Sequence, residues 1–181
     1  MKKWLKITLF VLFGGILILI GVIGYGYYHY WGRFTADTAT YPPSVEYIDP
    51  EKALYGKGFK ACNENSIAQY YNPERATYSK GKNGLRKFIM SNYINKGYSD
   101  SGYLNIRFVI NCKGAAGRYI IHENTLDLEP TELDKDMTNQ LFALTRQLKD
   151  WNPVFFRGKN RDAYMYLSYR IENGEIVAIL P

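Results

Sequence analysis

The chain reads as an α+β protein, with one N-terminal transmembrane helix followed by a helix-strand-strand-helix-strand domain that ends in a hairpin. Three observations predict this. An uncharged apolar run, Ile7–Tyr28, stands near the start of the sequence. Apolar residues then alternate at period two in Gly102–Cys112 and Ala163–Ile171, the pattern of strands with one buried face. Between those stretches Leu133, Met137, Leu141, Leu144 and Leu148 recur at helical spacing.

The run Ile7–Tyr28 is long enough to cross a hydrocarbon core of roughly 30 Å as a helix. A cleaved signal peptide would have a shorter apolar region ending in small residues, whereas this run ends among Tyr25, Tyr27, Tyr28, Tyr30 and Trp31. A retained anchor is therefore expected, with those aromatic rings as an interfacial belt. Lys2, Lys3 and Lys6 predict that residues 1–6 are cytoplasmic and that the rest of the chain lies across the membrane.

Residues 29–60 carry Tyr41-Pro42-Pro43, Asp49-Pro50 and Gly56-Lys57-Gly58 without sustained periodicity, so they read as a short linker or wrapped arm. The folded domain is expected over residues 61–181. Ala61–Tyr71 has a loosely apolar side, Ile67, Tyr70 and Tyr71, compatible with a short helix. Asn83–Asn95 is a clearer helix, with Leu85, Phe88 and Ile89 on one side and Arg86 and Lys87 facing away. Gly97 and Ser99-Asp100-Ser101-Gly102 end it.

In the strand that follows, Leu104, Ile106, Phe108 and Ile110 share one face, with Asn105, Arg107 and Asn111 on the other. Lys113–Gly117 turns the chain, and Arg118–Asn124 is expected to return antiparallel. Thr131 with Asp134 three residues on, just after Pro130, has the form of a capping box for the leucine-rich helix. Trp151-Asn152-Pro153 stops that helix, because the residue before proline is driven out of the helical region. Val154-Phe155-Phe156 then precedes a polar turn, Arg157-Gly158-Lys159-Asn160. Asn173-Gly174 is a hairpin signal that lets Glu175–Leu180 fold back along Ala163–Ile171.

Composition narrows the function. The formal charge is +6, but four of the 23 basic residues, Lys2, Lys3, Lys6 and Arg33, flank the apolar run; the remaining 19 face 17 acidic residues, a balance of +2. A nucleic-acid footprint needs its charge on the folded part, so nucleic acid is not an expected partner. No catalytic constellation emerges, and no metal or other cofactor is expected. His29 and His122 are far apart in sequence, too few and too separated for a metal site. His122 beside Cys112 lacks a third orienting group. Gly114 and Gly117 lead into a strand rather than a phosphate-binding helix N-terminus. Glu132, Asp134 and Asp136 suit the first turn of a helix without any catalytic duty. Cys62 and Cys112 are the only cysteines, and outside the cytoplasm a disulfide is permitted. It would stabilise by about 4 kcal/mol through loop closure. Two buried thiols are the other reading.

Several pieces stand in a recognisable order: Gly84-Leu85-Arg86-Lys87-Phe88-Ile89, then Gly102–Asn111 with Lys113-Gly114, then Leu133-Asp134-Lys135-Asp136, Trp151-Asn152-Pro153, and Ala163–Ile171 with Asn173-Gly174. Together they resemble the C-terminal domain of TonB, the energy-transducing protein of the Gram-negative envelope, and especially the shorter TonB-like proteins of Bacteroidota. The resemblance spans roughly residues 82–180. It departs where Gly97-Tyr98-Ser99 replaces the family's tyrosine-proline, where the long proline-rich spacer is missing, and where the anchor lacks a histidine in mid-membrane.

The resemblance implies a single-pass inner-membrane protein with its C-terminal domain in the periplasm. There it would bind an outer-membrane TonB-dependent transporter, or another envelope protein, by strand addition for energy-coupled transport, with an ExbB–ExbD-like inner-membrane complex as a further partner. Its implied contact residues are Tyr164, Tyr166, Ser168 and Arg170, on the polar face of the last family strand. Two alternatives stay open. These side chains can simply cover the sheet, with the incoming peptide using another edge if Glu175–Leu180 folds back. The domain can also serve as a membrane-tethered scaffold or accessory subunit without energy transduction.

Overall fold

The computed structural model describes residues 3–30, 47–69 and 74–180. Residues 31–46, which hold Trp31, Arg33 and Tyr41-Pro42-Pro43, lie outside the described residues, as do Lys2, Tyr70 and Tyr71. One unit contains helix α1, Lys3–Tyr30, and a second compact unit covers Tyr47–Pro181. In α1 no residue is buried, and the helix is long and apolar enough to cross a membrane. The second unit runs β1 (Thr77–Tyr78), α2 (Gly81–Asn92), β2 (Gly102–Ile110), β3 (Ala116–Asn124) and α3 (Lys135–Gln147). It continues with β4 (Trp151–Asn152), β5 (Val154–Phe156), β6 (Lys159–Arg161), β7 (Ala163–Glu172) and β8 (Glu175–Leu180). It is a mixed α and β fold, sheet-rich at its C-terminal end.

The alternating segments build a four-stranded antiparallel sheet in the order β3-β2-β7-β8. Along β2 the register sets Leu104 opposite Tyr169, Ile106 opposite Leu167 and Phe108 opposite Met165. Period two puts all of them on one face. Leu85 and Ile89 of α2 and Met137, Leu141 and Leu144 of α3 join them in one buried cluster. Aromatic rings fill its β3 side: Phe108 lies 5.2 Å from Tyr119 and 5.4 Å from Trp151, and Tyr119 lies 5.5 Å from Phe142. Tyr169 is fully buried at the centre, and its hydroxyl shares a 2.7 Å hydrogen bond with Thr145. Burial holds its pKa well above the usual tyrosine value.

The other face of the sheet is covered at one end by the chain that precedes it. Residues 47–69 form an arm in which Ile48 packs with Val109 and Tyr164, joined by Ala53, Phe59, Ile67 and Ile120. Of the two readings of this stretch, the wrapped arm applies from Tyr47 onward. Phe59 lies directly over Gly117, where a Cβ would come within 2.3 Å of its ring, so only glycine permits that approach. The short helix expected over Ala61–Tyr71 does not form among the described residues. Asn63 and the distant Asp162 accept the amides of Asn65, Cys62 and Asn63, an alternative to helical bonding. Ala68 instead bridges Ala163 in parallel.

Local signals held unevenly. The helix of Leu133–Leu148 begins at Lys135 with Asp134 as N-cap, its carboxylate accepting from Asp136 N and Met137 N at 2.9 and 3.0 Å. Thr131 is not the cap; its amide donates to Glu123 O and ties this stretch to β3. Asn173-Gly174 forms the expected tight turn, with φ of 50° and 73°. The turn at Arg157-Gly158 closes an additional hairpin, β5 with β6, which residue composition did not announce because arginine seldom adopts a φ of 49°.

Leu141 is fully buried between α3 and the sheet. Leu141→Ala is expected to lower unfolding stability by about 2–5 kcal/mol in a urea titration followed by circular dichroism.

Candidate interaction surface

The two edges of the sheet differ. On β3, Leu54 and Tyr119 exchange two backbone hydrogen bonds of 2.9 Å, and Arg118 N donates to Tyr55 O. Farther along, Thr131 N donates to Glu123 O and Asn124 bridges Pro130. The arm and the loop before α3 thus occupy most of that edge. On the opposite side β8 is the last strand in the sheet order, with no described strand beyond it. Its sequence, Glu-Ile-Val-Ala-Ile-Leu, carries a single charge. Ile176 turns into the core while Val177 and Leu180 are 43% and 51% exposed. A register shift opposite Arg170 and Ile171 makes Val177 the extra residue of a bulge, leaving Ala178–Leu180 as the regular part of the edge.

This arrangement redistributes the four residues implied by the resemblance. Strand β7 is interior: β2 runs along one flank, β8 pairs with Ser168–Glu172 on the other, and Ala68 occupies the position beside Ala163 and Tyr164. Tyr164 is buried beneath the arm, in contact with Ile48, and its pKa is raised by that burial. Ser168 is buried too, donating to Asn105 Oδ1 at 2.6 Å. Asn105 in turn donates to Asn124 Oδ1 at 3.2 Å, so an amide-hydroxyl chain crosses β7, β2 and β3. Tyr166 is half-buried opposite Arg107. Arg170 alone is largely exposed, and it pairs with Glu172. Tyr164 and Ser168, expected on an accessible face, are therefore buried within the folded unit. The accessible backbone has passed to β8 because the Asn173-Gly174 turn returns the chain against β7.

Cys62 and Cys112 form a disulfide, with Cα atoms 5.9 Å apart. Beside it lies Asp162, 1% exposed, a residue that no local sequence pattern singles out. Its Oδ1 accepts from Cys62 N at 3.0 Å and Cys112 N at 2.8 Å, and its Oδ2 accepts from Asn63 N at 2.6 Å. The two sulfurs and this carboxylate lie together as a metal site would require. The sulfurs, however, are bonded to each other and the carboxylate is engaged by amides, so the group is structural. The same bond removes Cys112 as a nucleophile for His122 to activate.

A second polar anchor sits where β3 bulges opposite Arg107 and Val109. Arg118, at φ 55°, is nearly buried and forms a two-armed ion pair with the half-exposed carboxylate of Glu64. The hydrogen bonds from Arg118 hold the Glu64 carboxyl below its ordinary range, against the opposing effect of burial. No local spacing reveals this pair, since its members lie 54 residues apart. No protein-family profile, characterised protein or solved structure matches this chain.

Two outcomes follow from these anchors. Alkylation before reduction should label neither cysteine and after reduction both, and reduction should lower stability by about 4 kcal/mol, since the bond closes a loop of 50 residues. For the ion pair, a folded-state pKa below the unfolded one adds stability above the unfolded value and loses it as pH falls through the folded one. Thermal melting from neutral to acid pH should therefore show a steeper fall below about pH 4.5 in the native chain than in Glu64→Gln.

Proposed function

We propose that this chain is a membrane-anchored, TonB-like module that captures an extended segment of an envelope protein by strand addition. The partner class is an outer-membrane TonB-dependent transporter and the process is energy-coupled uptake, with an ExbB–ExbD-like complex acting on the anchor. The observation that carries the reading is the contrast between the two sheet edges, β3 covered by the chain's own arm and loop and the outer side of β8 without a strand beyond it among the described residues. Natural proteins usually blunt an edge with lysine, proline or cover. Here one glutamate and one bulge do so, and the rest is apolar. An added strand would gain roughly 0.5–1.5 kcal/mol net for each backbone hydrogen bond, while Val177 and Leu180 offer side-chain selection.

Helix α1 supports an inner-membrane anchor, and the lysines before it support a periplasmic domain. The helix-strand-strand-helix-strand order with its terminal hairpin supports the resemblance on which the partner class rests. A second reading, a tethered scaffold or accessory subunit without energy transduction, is favoured by the tether. Residues 31–46, even fully extended, reach at most about 55 Å.

Photocrosslinking in cells from Val177 and Ala178 tests both. Adducts to the periplasmic segment of an outer-membrane transporter are expected. Adducts confined to inner-membrane proteins would select the scaffold, and adducts equal to those of an anchor-only control would reject strand capture.

A further inference from the structure

Among the described residues, hairpin β5–β6 is paired only with itself, outside the main sheet. Val154 is buried at its base, while Phe155 is 63% exposed and Phe156 38%. Around these rings stand Arg157, Lys159 and Arg161, and the guanidinium carbons of Arg157 and Arg161 lie 5.2 and 5.5 Å from the Phe156 ring centre. Residues 154–161 contain no carboxylate. Asp162, next in sequence, is buried on its three amides, and Glu74 shares a groove of about 470 Å³ with Arg161 and Phe156. Arg157 and Lys159 make no ion pair among the described residues.

A hairpin with one large exposed ring and cations that lack an ion pair among the described residues has two ordinary uses, a protein interface or a lipid surface. Size argues against the first: the exposed parts of the two phenylalanines, each a fraction of the about 150–250 Å² of a whole aromatic side chain, fall well short of the roughly 800 Å² that a stable protein partner covers. Charge and tether argue for the second. Cations attract anionic headgroups while an aromatic ring settles at the boundary with the acyl chains. A contact this small is weak alone, but a short tether raises its effective concentration at the bilayer. We infer that the Val154–Arg161 hairpin is a contact site for anionic phospholipid, Phe155 entering the headgroup region and Arg157 and Lys159 facing phosphates. This rests on the reading of α1 as a membrane span.

The test uses the full chain in nanodiscs of phosphatidylcholine, alone or mixed with phosphatidylglycerol, with p-benzoylphenylalanine replacing Phe155 or, as a control, Phe13 within α1. Position 13 should give lipid adducts in both discs. Position 155 should give adducts several-fold more abundant when phosphatidylglycerol is present, and R157E/K159E should abolish the excess. Raising the salt should abolish it in the unmutated hairpin, which repeats the comparison without risk to folding. Adducts from 13 with none from 155 would overturn the inference. So would adducts from 155 that ignore phosphatidylglycerol or join a second copy of the chain. Absence of adducts from 13 would instead refute the membrane span and remove the tether on which the inference depends.

Discussion

The carboxylate of Asp162 is the point at which three separate parts of the chain are held in register. It lies just before β7, takes the amides of Cys62 and Asn63 from the arm, and takes the amide of Cys112 from the turn that leaves β2. A charge nearly removed from water is tolerated only when its oxygens are well supplied with donors, and backbone amides supply them at fixed positions. The disulfide joins two of those same residues covalently. With this knot in place the arm lies over the second face of the sheet, Ile48 reaches Tyr164 and Val109, and Leu54 meets Tyr119.

Covering that face has consequences at the edges. The strip of arm that covers Tyr164 also blocks the β3 edge at Tyr119 and the flank of β7 at Ala163. The bulge that breaks the β2–β3 register turns Arg118 toward Glu64 while Tyr119 joins the helix-side core. One insertion of a residue thus serves both faces, a recurrent use of bulges at sheet margins. What is left open among the described residues is the outer side of β8 beyond Glu175, the residue that Asn95 reaches.

How far the sequence could be read depended on the range of the interaction. Strands β2 and β7, helix α3 and the Asn173-Gly174 hairpin rest on side-chain periods and turn chemistry within a few residues, and all were legible. The start of α3 was legible only in part, because Thr131 and Asp134 both suit an N-cap and the choice was made by Glu123, on a strand already past. The segment after Ala61 looked helical because Ile67, Tyr70 and Tyr71 recur at loosely helical spacing in the sequence. Its backbone, however, is satisfied by Asp162, about a hundred residues later. Arg118 with Glu64 is the same kind of case, and so is the displacement of Tyr164 and Ser168 from surface to interior. The cysteines were the exception: their scarcity made the pairing a question from the start, though not its proximity to a buried carboxylate.

The disulfide also determines how tension would travel through the domain. A pull arriving from the N-terminal side of Tyr47 would first peel residues 47–61 from the sheet, opening the two Leu54–Tyr119 hydrogen bonds one after the other. At Cys62 the path changes character, because the next link is covalent and leads to Cys112, at the end of the interior strand β2. Beyond that point the pull acts on a strand hydrogen-bonded along both sides. The arm is thus a short compliant element in series with a stiff sheet, and the position of Cys62 sets its length.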